Sequence, residues 1–258
     1  MNRRAVVYGS LAVAVVVGTA LIWFGTPQIV AAQSAAAATP APAPAKATTS
    51  AKLAKSSAAA SSSRAAAAPA PQLINVGPVT DIDVHKAFGS KTAPVIMEVF
   101  SDFQCPACKS LYLATNRQTM DNYVSTGKVY LIHRDFPLPM HAHSKVAASY
   151  ARAAAHVGKV ELVEQALFEN QEKWEATGDV DGTVAAVLSA AEMKRVRDLV
   201  KGGTLEPLIE KDVVLGKIHN VNQTPTTVFY AKGQTYPYAG QISYEFLKQF
   251  LDQLLAQK

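Results

Sequence analysis

Cys105 and Cys108 are the only cysteines among 258 residues, and they stand in the stretch SDFQCPACKS with just Pro106 and Ala107 between them. A bridge between them closes too small a loop to stabilise a fold, because the entropy a disulfide removes from the unfolded chain grows with loop length. Thiol-disulfide exchange fits the spacing better: one sulfur attacks as a thiolate and the other resolves the mixed disulfide. Cys-x-x-Cys is also half of a four-ligand metal site, and His141 and His143 in PMHAHS could complete it. Alternate residues of a helix diverge, so this HxH pair is a weak match. A pair of inert buried thiols is disfavoured by the adjoining Pro and by a helix that begins beside it.

The flanking residues predict how the pair is held. KTAPVIMEVF, residues 91–100, is a nearly all-apolar run of β-formers and reads as a strand buried on both faces. Residues 109–128 have helical apolar spacing and run to Gly127, which places Cys105 at or just before a helix N-terminus. Partial positive charge and free N–H groups at that end favour thiolate over thiol. Pro106 suits the first helical turn, where its missing N–H costs nothing. Cys108 lies one turn on, along the same face, and is expected to be the more buried and less acidic sulfur.

A second strand is expected at VYLIHRDF, residues 129–136, followed by a helical block. Within it, residues 143–158, 159–174 and 205–219 read as helices, and Ser189 to Glu192 has the form of a capping box ahead of MKRVRDLV. Thr226 to Gly240 suggests a hairpin about Gly233, and Ser243 caps a last amphipathic helix. The order predicts an α/β fold with a helical insertion between its halves. There is no internal repeat, dinucleotide glycine fingerprint or phosphate loop. His133, Arg134 and Asp135 could lie near the site, but structural histidines are the simpler account of His133, His156 and His219, and His85 reads as surface.

The first 71 residues differ in kind. MNRR is followed by an uncharged apolar run over residues 5–24, long enough to span a bilayer, with Arg3 and Arg4 on the cytoplasmic side. Residues 1–30 are therefore an anchor or, given Val30-Ala31-Ala32 before Gln33, a cleaved signal sequence; the length favours the anchor. Either places the rest of the chain outside the cytoplasm, where thiols can be oxidised. Residues 31–71 are almost wholly Ala, Pro, Ser, Thr and Lys, a composition expected to remain a disordered linker spanning about 35 Å as a coil. Residues 72–258 form the globular domain. Six of the 25 Lys and Arg precede Gln72 and all 20 acidic residues follow Thr80, so this domain carries 19 positive against 20 negative charges. The basic surplus belongs to the tail, which argues against a nucleic-acid surface on the domain.

Three stretches together carry a resemblance: SDFQCPACKS after an apolar strand, RDFPLPMHAHSKVAASYARAA in mid-chain and NQTPTTVFYAKG near the end. In this order, over about residues 77–256, they resemble the DsbA-like thiol-disulfide oxidoreductases of the thioredoxin fold. The resemblance implies Cys105 and Cys108 as the catalytic pair, with Pro106 and Ala107 between them, and a cis-proline loop at Thr224 and Pro225 packed against them. It implies exported proteins with thiols or disulfides as substrates, a quinone-linked membrane protein as reoxidant, a monomer, and no cofactor or metal. The family commonly buries an acid beneath the second cysteine to relay its proton. Here Glu98 is the nearest candidate, one position earlier than the usual place, which Val99 occupies. An oxidase is favoured by the lack of an added dimerisation domain. A reductase or isomerase with the same site, and a Cys/His metal-binding module, remain the alternatives.

Overall fold

The computed structural model describes Val79 and residues 81–257. The expected anchor or signal sequence and the Ala/Pro/Ser linker lie outside the described residues, and among those described no helix is long and apolar enough to cross a membrane.

A five-stranded sheet has the order β1-β3-β2-β4-β5. Its centre is β2 (Val95–Ser101), which pairs in parallel with β3 (Val129–Asp135) and antiparallel with β4 (Thr226–Ala231). β1 (Ala87–Phe88) and β5 (Gln234–Ala239) close the edges. The connection from β2 to β3 is the continuous helical segment over residues 106–124. It opens as α1 (Pro106–Ser110), widens into π-type turns at Leu111–Asn116 and Met120–Val124, and has α2 (Arg117–Thr119) between them. Lys232 and Gly233, both with positive φ, make the tight turn between β4 and β5.

Alternation along β2 sends its side chains to two different cores. Val95, Met97 and Val99 pack with Leu111, Tyr123 and Val124 of the helical connection and with Leu247, Leu251 and Leu254 of the final helix, α9 (Tyr244–Ala256). Phe100 points the other way, toward Phe136, Val221 and Val228.

Between β3 and β4 lie six helices: α3 (Ser144–His156), α4 (Val160–Glu169), α5 (Gln171–Thr177), α6 (Val180–Ala185), α7 (Ala190–Lys201) and α8 (Glu206–Ile218). The Ser189–Glu192 capping box is formed in full. Two features depart from the sequence reading. The helix expected over residues 159–174 is two helices, because Asn170 breaks the path and its own side chain donates to the Ala166 carbonyl at 2.9 Å. The break turns Gln171 and Trp174 inward, where both are buried. The short α6 was not expected; Asp179 caps it by accepting from the Gly182 N–H at 2.7 Å. The insertion shares one core with the active-site helix, since Ala151, Val163, Leu167 and Trp174 cluster with Cys108 and Tyr112.

Gly216 in α8 is a close-approach position: a Cβ there would sit 2.5 Å from Phe136 Cε2 and 3.2 Å from Phe100 Cδ1. Alanine should gain about 1 kcal/mol in helix propensity, but forcing two buried rings apart costs about 1–3 kcal/mol. Gly216→Ala is therefore expected to lower the urea midpoint of unfolding. An unchanged or higher midpoint would show that α8 can shift freely on the sheet.

Candidate active site

Cys105 is the N-cap of α1, with extended backbone (φ −78, ψ 120), and Pro106 occupies the first helical turn. Cys105 is 8% exposed and Cys108 only 1%, and both are free thiols. Pro106 is exposed and Ala107 half-buried, so the dipeptide between them offers no side-chain donor to either sulfur.

The two sulfurs are driven in opposite directions. The Cys108 thiol, by donating to Cys105, is the largest influence lowering the Cys105 pKa. Burial opposes it, but the Thr224 hydroxyl and the N–H groups of Cys108 and Ala107 add to the lowering, and the thiol is held down to about 5. Those N–H groups act by proximity, since neither makes a formed capping bond to the side chain. Burial pushes the Cys108 thiol up, and the Cys105 anion beside it pushes it further. The Asp102 N–H approaches Cys108 Sγ at 3.5 Å without reversing this. The surroundings thus favour the anion at Cys105 and the protonated form at Cys108.

The Thr224–Pro225 peptide is cis, as the resemblance implies. The Thr224 carbonyl accepts from the Cys105 thiol at 3.3 Å, a contact open only to the protonated sulfur. The Thr224 hydroxyl is buried and makes no hydrogen bond among the described residues.

Glu98 does not face Cys108. It is fully buried on the opposite face of β2 from Val99, accepting from Arg134 Nη2 and from the Tyr230 hydroxyl, each at 2.6 Å. Strand alternation places it there, one position from the place the family's acid occupies. His141 is equally committed: its Nδ1 is 2.8 Å from the buried Asp102 carboxylate. Among the described residues, no three His, Cys, Asp or Glu side chains are grouped to hold a metal ion.

Several contributors had no clear signal in the sequence. Asp102 also accepts from the N–H groups of Gln104 (2.7 Å) and Leu138 (2.6 Å) and from the Ser144 hydroxyl, tying the loop before Cys105 to the loop after β3. Gln171, turned inward by the break at Asn170, donates to the carbonyls of Phe103 (2.7 Å) and Cys105 (3.2 Å). Behind the site lies a buried charge network. Lys86 Nζ meets Asp135 at 2.5 Å, Arg152 Nε meets Asp135 at 2.6 Å, and Arg134 and Arg152 both meet Asp212. Burial alone would raise the Asp135 pKa, but Lys86 and Arg152 outweigh it and hold it low. The charged residues interrupting apolar strands, Glu98 and His133 to Asp135, were the available hint of this network.

Reduced protein should react with iodoacetamide at Cys105 with a pH midpoint of about 5, and Thr224→Val should move that midpoint upward. A wild-type midpoint near the ordinary 9.0 would contradict the site. A linked stability effect has a definite sign. The folded value of about 5 lies below the ordinary 9.0, so the thiolate's stabilisation of the reduced fold is complete above 9.0 and fades as pH falls toward 5.

Comparison with known proteins agrees with this fold. A thioredoxin family model matches residues 82–253. Oxidised BdbD from Bacillus subtilis superposes with a TM-score of 0.56 at 20% identity, covering 67% of this chain and 93% of its own. Alpha-DsbA1 of Wolbachia pipientis gives 0.55 at 16% identity, covering 66% and 89%. A thioredoxin-like oxidoreductase from Silicibacter pomeroyi gives 0.57 at 21% identity, covering 68% and 95%. No curated protein matches the sequence. The chain belongs to the thioredoxin family, in the fold of its DsbA-like thiol-disulfide oxidoreductases.

Proposed function

We propose that this thiol-disulfide oxidoreductase is a disulfide-donating oxidase for exported proteins, working on the extracytoplasmic side of a membrane to which its N-terminal apolar run tethers it. The observation that carries the reading is the inequality of the two sulfurs: Cys105 caps the start of α1 against the Thr224 carbonyl, while Cys108 is the more deeply buried of the two. Stabilising the thiolate stabilises the reduced form, and a couple whose reduced form is stabilised is an oxidant.

The reaction balances as two exchanges. A substrate thiolate attacks Cys105 Sγ, the Cys105–Cys108 bond breaks, and Cys108 leaves with the electron pair and is protonated. A second substrate thiolate then attacks the substrate sulfur of the mixed disulfide and releases the Cys105 thiolate. The substrate loses two electrons, the pair gains them, and a quinone-linked membrane partner takes them away. The loop at Thr224 and Pro225, already against Cys105, is placed to offer backbone groups to an extended substrate segment. No cofactor enters the scheme. A reductase or isomerase would run the same exchanges in reverse, and the low Cys105 value weighs against it.

In cells, Cys108→Ala should accumulate mixed disulfides between Cys105 and exported proteins, visible as ladders on non-reducing gels that collapse on reduction, whereas Cys105→Ala should not. Ladders from the second variant and none from the first would reverse the roles of the two sulfurs.

A further inference from the structure

We propose that His133, oriented by Glu164, carries protons between the Cys108 sulfur and solvent through two adjoining cavities; the inference rests on the exchange reaction proposed above. In parallel register, His133 of β3 lies beside Val99 of β2, on the side of the sheet that Glu98 does not face. The inner cavity, about 20 Å³, is lined by Cys108, Val99, His133 and Glu164, and is large enough for about one water. The outer cavity, about 140 Å³ and open at its mouth, is lined by Arg117, Asp121, Glu161 and Gln165. Tyr112, Asn116 and His133 line both, so these three side chains form the wall between Cys108 and the outside.

His133 has the chemistry of a carrier. Its Nδ1 lies 2.6 Å from Glu164 Oε2, and a carboxylate accepts, so Nδ1 carries the hydrogen. Nε2 is buried with no protein partner among the described residues, free to take up or give a proton. Asn116 Oδ1, on the same wall, is likewise buried and unpartnered, an acceptor for a bridging water. The charged groups facing the ring are otherwise committed. Lys86 is nearer Asp135 (2.5 Å) than Glu164 (3.7 Å), and Asp135 is also held by Arg152. The rings of Phe88 and Tyr112 pack against it at 5.1 and 5.9 Å.

The demand for such a path comes from Cys108. When substrate thiolate attacks Cys105, Cys108 departs as a buried thiolate, a poor leaving group because burial disfavours its charge. Nε2, once protonated, donates that proton to a water in the inner cavity, which passes one to Cys108 Sγ. The ring is recharged from the outer cavity. The S–S bond of the pair breaks, the bond from substrate to Cys105 forms, two electrons move to Cys108 and one proton follows. In the reverse direction the same ring removes the Cys108 proton before that sulfur attacks.

The test is the rate at which oxidised protein forms the Cys105 mixed disulfide with reduced glutathione, followed by acid quench across pH. His133→Gln should slow the step by about 100-fold at neutral pH, the lower end of what proton transfer contributes, and should change the shape of the pH profile. Glu164→Gln should slow the same step, while alkylation of Cys105 in the reduced protein stays unchanged in both. A solvent deuterium effect should be present in wild type and lost in His133→Gln. Unchanged rates and profiles in folded variants would overturn the relay. If the variants do not fold, a wild-type isotope effect near one overturns it. Oxidised wild type that forms no Cys105 adduct at all would instead overturn the exchange reaction itself.

Discussion

A sulfur anion that must form repeatedly at one place needs its donors in position beforehand. At Cys105 these are the Cys108 thiol, the Thr224 hydroxyl and the N–H groups of Cys108 and Ala107. The residue is an N-cap, so its sulfur lies among N–H groups that the helix cannot satisfy, and Pro106 removes the one N–H that would be wasted. The neighbouring Cys108 supplies the largest contribution, and it can do so only while it stays protonated. Burial of Cys108 and acidity of Cys105 are therefore one property, and much of the surrounding structure serves to keep them unequal.

That inequality explains why a helical insertion packs on the site. Helices α3, α4 and α5 share a core with Cys108 and bury it, and the break at Asn170 sends Gln171 to brace the carbonyls beside Cys105. Asp102 holds the same loop from the other side through its neighbours in chain and space. The buried ion pairs behind the sheet are a different matter. Desolvating such charges offsets most of their attraction, so they add little net stability. What they do is fix side-chain directions: Arg134 and Tyr230 hold Glu98 away from the sulfurs, while Lys86 and Arg152 hold Asp135 and Lys86 and His133 share Glu164.

Features that depend on a few consecutive residues were legible in the sequence. The cysteine spacing, Pro106 at a helix start, the Ser189 capping box and the hairpin about Gly233 are all local signals, the order of elements followed from periodicity, and the Thr224–Pro225 loop came only through the family resemblance. What escaped depends on pairing across long separations. Arg134 meets Asp212 and Lys86 meets Asp135 only because the sheet and insertion bring them together. Glu98 could be doubted from strand alternation alone, but the neighbour that takes the place opposite Val99 depends on the parallel register of β2 and β3, which no local pattern encodes. The helix expected through Asn170 shows the same limit: its apolar spacing was sound, and one side chain bonding back to Ala166 was enough to divide it.

The central claim is that a stabilised Cys105 thiolate makes this pair an oxidant, and the reduction potential of the Cys105–Cys108 couple, measured by equilibration with glutathione, tests it most directly. A thiol held down to about 5 lies between thioredoxin, near 7, and the strongest oxidants of the fold, near 3.5. The expected potential accordingly falls between about −120 and −230 mV, short of the most oxidising end because Pro106 and Ala107 bring no charge or side-chain donor. A value close to about −270 mV, that of a thioredoxin, would contradict the account and make the protein a reductant.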